Sequence, residues 1–496
     1  MPDRPSEPAE GERQRYVLPE EYGPARPPPR NDEFDELNGS ASAVTVYERD
    51  YIPAPAPPPE PVAPTLTRRE LREQREREQA ASKPAPKPVR SKRSRWIRRG
   101  IAIVVVLLLI PVAVSYVHAL QRPGSDSASV KTVEWIRDHG GNGIVNTVER
   151  WWYTNNPPPV GGKPDAIALQ GTVGESPTKP KPNAPPSTYP QIQRLTPPTA
   201  RVATPAAQVE PNEGIWQPTG RLVLGQPAIY TTYVRPDAVH TSFYTGLMWL
   251  DTKLLRANYV VGLEQPGGGP NPWGSQIPPA QQQIAIAAFN SGFKMDTARG
   301  GAYLDGDTIV PLRDGSASFV ITQDGTANVG VWGRDFTMTP DIQAVRQNLE
   351  LIVDNGQLNP ALQENDTNAF GATLGNNVYV WRSGVGVTAD GALVYAGGPA
   401  LSITALARTL QAAGAVRAME LDINTDWVSA FTYVPADPTA FNSPIVGTKL
   451  LQAMTHDGSQ YLQQSSRDFF AFTADAKVAV PVTTTVPPST TKPKRR

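Results

Sequence analysis

Residues Gly100 to Leu120 read GIAIVVVLLLIPVAVSYVHAL, an apolar stretch without one Asp, Glu, Lys or Arg. A helix rising about 1.5 Å per residue crosses the ~30 Å hydrocarbon core of a bilayer in roughly 20 residues. The stretch therefore fixes a transmembrane helix and places the rest of the chain on two sides of a membrane. Pro111 breaks a soluble helix but is accommodated in a membrane helix, where neighbouring groups satisfy the freed carbonyl. A buried soluble helix or a cleaved signal peptide fits less well, given the length of the stretch, its place in the chain and the lack of a clear small-residue cleavage site after Leu120.

Charge sets the orientation. Lys92, Arg93, Arg95, Arg98 and Arg99 precede the span, whereas Arg122, Lys131 and Arg137 after it are offset by Asp126, Glu134 and Asp138. The positive-inside rule then predicts a plasma-membrane protein with a cytoplasmic N-terminus and an extracytoplasmic C-terminal domain. Trp96 and Tyr116 suit the two interfaces. The basic run between Arg68 and Arg99 lacks interleaved aromatics, so anionic lipid is the expected partner and nucleic acid is not. The partner of the cytoplasmic tail is not legible. With no cysteine in the chain, thiolate metal sites and Cys nucleophiles are excluded.

Proline, 53 of 496 residues, is concentrated outside one region, and such segments bury too little apolar surface to order themselves. The expected organisation is a disordered cytoplasmic tail (1–65) and a basic, partly helical juxtamembrane segment (66–99). The transmembrane helix (100–120), short amphipathic helices (121–155) and a Pro-rich linker (156–210) follow, then one large domain (211–476) and a disordered tail (477–496). Trp151, Trp152 and Tyr153 suit either the outer membrane interface or packing against the large domain, and packing is the preferred expectation.

Inside that domain strand patterns outnumber helix patterns. Strands are expected at 226–234, 283–289, 317–321, 327–332, 377–381, 384–387, 392–395 and 417–421, with an Asp390-Gly391 hairpin turn, and helices at 343–348, 403–413 and 445–454. Ser402 or Thr404 caps the second helix and Gly414 closes it. The fold class is α+β, a sheet core with packed helices.

Three segments carry chemistry. Phe289-Asn290-Ser291-Gly292-Phe293 ends an apolar strand, Arg382 to Gly386 begins another, and Ala418-Met419-Glu420-Leu421-Asp422-Ile423-Asn424 follows the Gly-terminated helix. Their order and content resemble the phosphodiester glycosidase family, over roughly residues 234–472. In that family the third segment continues Leu-Asp-Gly-Gly-Gly-Ser, and here Ile423-Asn424-Thr425-Asp426-Trp427 replaces the glycines and serine.

The resemblance implies hydrolysis of a sugar 1-phosphodiester. Asp422, with Glu420, is then the expected catalytic carboxylate beside the developing oxocarbenium charge. Asn290, Gly292, Arg382 and, as a weaker candidate, Arg313 are expected around sugar and phosphate, with Asn424 near them. A guanidinium offers a planar fork of donors to a phosphodiester's free oxygens.

A regular strand through Asp422 puts Glu420, Asp422 and Asn424 on one face, which suits either an acid/base pair or a cation site. Asp422, Asn424 and Asp426 are candidate oxygen ligands should a divalent cation bind; the sequence requires no cofactor, and the spacing is not that of a full calcium loop. His240 and His456 belong to no Ser-His-Asp order. Two functions are open: an extracytoplasmic hydrolase of sugar 1-phosphodiesters in envelope glycans or related substrates, or a catalytically impaired glycan-binding or scaffold protein of the cell envelope whose bulky Ile423, Thr425 and Trp427 fill the space where backbone would approach the substrate.

Overall fold

The computed structural model describes residues 67–81, 92–124, 126–164, 194–363, 370, 378–440 and 442–475. The expected terminal tails, most of the Pro-rich linker and the start of the strand expected at 377–381 lie outside them. The chain divides into two units, 1–90 and 91–496. In the first, α1 (Arg68–Ala81) is an exposed helix. Thr67 and Glu70 form its capping box, and Arg69–Glu73 and Arg72–Glu76 pair one turn apart.

The second unit begins with α2 (Lys92–Leu120), whose Trp96–Leu120 part is long and apolar enough to cross a membrane and is exposed along its apolar run, Ile101 to Val114. The chain turns back through α3 (Ala128–Ile136), capped by Ser127 Oγ accepting from Val130 N. A π-helical turn then leads into α4 (Asn142–Asn155). Trp135 Nε1 donates to Ser115 Oγ at 3.0 Å, and its ring meets Tyr116 edge-on at 5.1 Å, so α3 lies along the last turns of α2. The expected packing of Trp151 and Trp152 is not seen. They are 63% and 57% exposed, in line with exposed Ile144 and Val148.

The domain is α+β, built from three antiparallel sheets. The first contains β1 (Gln217–Val223), β2 (Gln226–Val234), β3 (Thr245–Leu250), β11 (Leu351–Asp354), β12 (Gln357–Leu358), β13 (Val380–Thr388), β14 (Leu393–Leu401) and β15 (Ala415–Glu420), in the order β1-β2-β3-β14-β13-β15-β11-β12. The second contains β6 (Ala302–Leu304), β7 (Asp307–Val310), β8 (Ala317–Thr322), β9 (Ala327–Val331) and β10 (Ile342–Gln347), ordered β7-β6-β10-β8-β9. In the third, β4 (Leu255–Val260), β5 (Ala285–Asn290), β16 (Ala430–Pro435), β17 (Ile445–Lys449) and β18 (Phe469–Ala474) are ordered β17-β16-β5-β18-β4.

Alternation along β13 to β15 gives the first sheet two apolar faces. Val385, Tyr395 and Met419 join a core with Phe289, Phe470 and Phe472 of the third sheet and Phe319 of the second. Tyr395 lies 4.8 Å from Phe289, and Phe319 lies 4.1 Å from Phe470, between ring centroids. On the other face α5 (Ile403–Ala412) buries Leu406 and Leu410 against Leu247, Val394 and Ala418. Ser402 is its cap, and Gly414 follows it with φ +96°. Gly384 keeps that helix close: a Cβ there would stand 3.0 Å from Leu410 Cδ1.

Two expected helices are strands. Residues 342–347 alternate and are buried on both faces in β10, where Arg346 Nε reaches Asp468 Oδ2 at 2.6 Å. A paired buried guanidinium is tolerable, and the strand supplies the pairing. Residues 445–449 form β17 because β-branched Ile445, Val446 and Thr448 favour extension, and Gly447 packs against Gly458 with no room for a Cβ.

Candidate functional site

Three chain segments meet where β5 and β15 end and β13 begins. Leu421 N donates to Ser383 O at 2.8 Å, and Ser383 N donates to Asp422 O at 2.9 Å, continuing the β13–β15 ladder one residue past each strand's expected end. Ser383 Oγ sits at the junction. It accepts from Asn290 Nδ2 at 2.9 Å and from Asp422 N at 3.2 Å, and lies 3.1 Å from Asp422 O.

Asn290 is buried and its amide is saturated. Nδ2 also donates to Ser291 O, while Oδ1 accepts from Tyr395 OH at 3.0 Å and Ser429 N at 3.1 Å. The amide thus ties together strands of the first and third sheets.

Gly292 has a spatial reason. A Cβ would fall 2.9 Å from Asn348 Cγ, and Asn348 Nδ2 donates to both Glu420 O and Leu421 O, at 2.9 and 3.0 Å. Asn348 therefore holds the carboxylate-bearing segment against the loop that follows Asn290.

Glu420 and Asp422 do not share one environment. Glu420 faces Gly384 in the ladder, on the side covered by α5, and is fully buried. Its Oε1 accepts from Arg382 Nη1 at 2.5 Å, and Arg382 Nε donates to Leu401 O at 3.0 Å. Glu420 Oε2 has no partner. Burial, countered by Arg382 and reinforced by the Asp422 charge, pushes the Glu420 carboxyl up to about 7.

After Glu420 the strand ends, and Asp422 meets a different cation. Arg467 Nη2 donates to Asp422 Oδ2 at 2.9 Å, and Ile423 N donates to Oδ1 at 2.8 Å. Burial raises Asp422 to about 6 despite Arg467, with Asp468 adding to the rise.

Arg467 connects Asp422 to open space. It lies 4.9 Å over the Trp427 ring and also donates to Gly292 O at 3.3 Å, while its buried Nε has no partner. Arg467 and Trp427 line a cleft of about 190 Å3 together with Lys294, Gln265, Glu134 and Arg122. Lys294 pairs with Glu134 of α3 across this cleft.

The fold thus brings Asn290, Gly292 and Asp422 to one junction. It sets Arg382 with Glu420 on the α5 side, away from Asp422's partner. Arg313 is exposed, and its guanidinium donates to Arg299 O at 3.2 Å. Asn424 Oδ1 accepts from Asp426 N at 2.9 Å and shapes a turn. Among the described residues no group of three His, Cys, Asp or Glu is placed to hold a metal ion.

Ile423 does not occupy the cleft; it packs on Phe293, Ala298 and Leu349. Trp427 does line it. Sequence reasoning missed Ser383, Asn348 and Arg467. The signal for the last was a charged Arg467-Asp468 pair abutting the largely apolar strand FFAFTA.

An α+β domain with paired buried carboxylates, arginine partners and an adjoining polar cleft has the makings of a hydrolase site. Residues 283–422 match the phosphodiester glycosidase family, and the chain carries a domain of that family. The match supports a hydrolase of phosphodiester sugar linkages.

Among solved structures, the chain resembles the catalytic domain of zebrafish N-acetylglucosamine-1-phosphodiester alpha-N-acetylglucosaminidase, auto-inhibited by its pro-peptide. The identity is 13% and the TM-score 0.30, covering 50% of this chain and 81% of that one. A hypothetical protein from Synechocystis is 12% identical with a TM-score of 0.28, covering 52% of this chain and 63% of that one. A protein from Burkholderia pseudomallei described as exported is 12% identical with a TM-score of 0.27, covering 48% and 75%. No curated protein matches the chain.

Proposed function

We propose that the domain hydrolyses a sugar 1-phosphodiester of an envelope glycan, outside the plasma membrane, with Asp422 as the carboxylate at the anomeric carbon. The observation that carries this reading is the Asp422–Arg467 pair, 2.9 Å apart, with Arg467 lining the cleft beside Lys294 and Trp427.

A phosphodiester is anionic throughout the working pH range, so Arg467 and Lys294 are its natural partners, and the partnerless Arg467 Nε supplies a donor. Water adds to the anomeric carbon as the bond from that carbon to the phosphate oxygen breaks. The electron pair leaves with the phosphomonoester, and Asp422 takes the water proton. The cations stabilise charge arriving on the leaving oxygen, and the carboxylate offsets positive charge on the sugar ring.

Asn290, Ser383 and Asn348 are positioning residues that fix the segment carrying Asp422. Glu420 and Arg382 support it from the α5 side. The excess of cationic residues before the apolar helix supports the extracytoplasmic placement.

A glycan-binding role without turnover is the second reading, favoured by Trp427, whose indole lines the cleft where the family has a Gly-rich segment. The deciding experiment is sugar release by the full-length protein in detergent from a panel of sugar 1-phosphodiesters. The hydrolase reading expects turnover that Asp422→Asn abolishes with the fold intact. Undiminished glycan binding with no turnover in the unsubstituted protein would leave the binding module.

A further inference from the structure

The cleft beside Arg467 continues toward the apolar helix. It shares Arg122, Glu134, Glu264 and Ser466 with a second cavity of about 310 Å3, which reaches Ala119 in the last turn of α2 and is lined at that end by Pro123, Val130 and Leu263. At the helix end the wall is mixed, with Ala119, Pro123, Val130 and Leu263 supplying an apolar strip beside Asp126 and Lys131, and toward Asp422's partner it is charged. Leu263 is 40% exposed within it.

Depth follows from helix geometry. From Trp96 to Tyr116 the helix rises ~30 Å, the thickness of a hydrocarbon core, with an aromatic side chain at each end. Ala119 to Arg122 then fall within the next ~10 Å, the depth of the headgroups. The end of the span touches the domain directly: Asp126 accepts from Ser466 Oγ at 2.6 Å, and Arg122 pairs with Glu264. On α4, the exposed Ile144, Val148, Trp151 and Trp152 repeat at i, i+4, i+7 and i+8, the stripe of a helix lying in a membrane interface.

We propose that the substrate is itself anchored in the bilayer, a glycosyl phosphodiester whose second ester is to a lipid. The lipid chain leaves the site past Leu263, Val130 and Ala119 into the leaflet, while the phosphate meets Arg467 and Lys294. This rests on the hydrolase reading above and on α2 spanning a membrane. Phosphate entry displaces Glu134 from Lys294, because the two anions compete for one ammonium.

The test uses the full chain reconstituted in phosphatidylglycerol/phosphatidylethanolamine vesicles. Paired probes are the methyl and the farnesyl phosphodiesters of N-acetylglucosamine, glucose and mannose, and release of free sugar is measured. The expected result is a farnesyl-to-methyl ratio of kcat/KM of at least about tenfold, reduced at least about fivefold by Leu263→Asp. Equal turnover of both esters, turnover of the methyl ester alone, or a ratio insensitive to Leu263→Asp overturns the membrane-anchored substrate and leaves the hydrolase reading standing. Absence of turnover for every probe overturns both.

Discussion

Arg467 donates to Asp422 at 2.9 Å from the wall of a cleft, whereas Arg382, two residues into β13, is spent on Glu420 behind the sheet. Of the two arginines, the one that reaches open space lies 45 residues from Asp422 in sequence. In the proposed reaction that choice makes Arg467, not Arg382, the cation that meets substrate.

Arg467→Met is expected to lower kcat/KM by about 10²–10³-fold, the usual cost of removing a preorganised charge partner. Arg467→Lys recovers part of this, because it keeps the charge but loses the planar fork. Steady-state kinetics on a sugar 1-phosphodiester reads both, and equal rates in all three proteins would remove Arg467 from the site.

Activity is expected to rise as Asp422 ionises through about 6 and to fall as Glu420 ionises through about 7 and adds buried negative charge beside it. The two values belong to a coupled pair, so the profile reports macroscopic constants. Glu420→Gln should remove the alkaline limb of the kcat/KM profile and leave the acid limb. An alkaline limb that persists assigns it elsewhere.

Both carboxyls have folded-state values above their ordinary ones, 4.5 for Glu420 and 3.8 for Asp422. Their contribution to stability is therefore fully present below those ordinary values and is lost as pH rises through about 6 and about 7. The Tm of the domain should fall between pH 5 and pH 8. Arg382→Met strands Glu420 without its partner and should cost about 3–5 kcal/mol near pH 8, less near pH 5 where Glu420 is protonated. Chemical denaturation at the two pH values measures the difference, and an equal loss at both would contradict it.

Gly292→Ala drives a methyl group to 2.9 Å from Asn348 Cγ. Overpacking of this kind costs about 1–3 kcal/mol. Since Asn348 holds the backbone of Glu420 and Leu421, turnover should drop more than stability explains. Thermal unfolding and kcat measured on the same sample separate the two effects, and a rate drop accounted for by unfolded protein would assign Gly292 to packing alone.

Much of this molecule is legible from local sequence because its causes are local. The charge-free stretch from Gly100 to Leu120 defines a membrane-length helix by composition. Ser402 and Gly414 mark the ends of α5, and Asp390-Gly391 marks the β13–β14 hairpin, through capping and turn preferences that operate within a few residues. Asn290, Gly292 and Asp422 are visible as polar or flexible residues at the ends of apolar strands.

Tertiary structure decided which of them do what. Residues 343–348 carry helix-compatible spacing, yet burial of Arg346 against Asp468 makes them a strand, a pairing 122 residues apart in sequence. Strand alternation put Glu420 and Asp422 on one face, but β15 ends at Glu420, and the two carboxylates meet different cations, Arg382 and Arg467. A carboxylate's partner depends on which cation the fold brings within hydrogen-bond reach. Sequence determined that carboxylates and arginines stand at strand ends; only the packing of three sheets determined that Asp422 pairs with Arg467, which lines the cleft, and that Glu420 pairs with Arg382 on the side covered by α5.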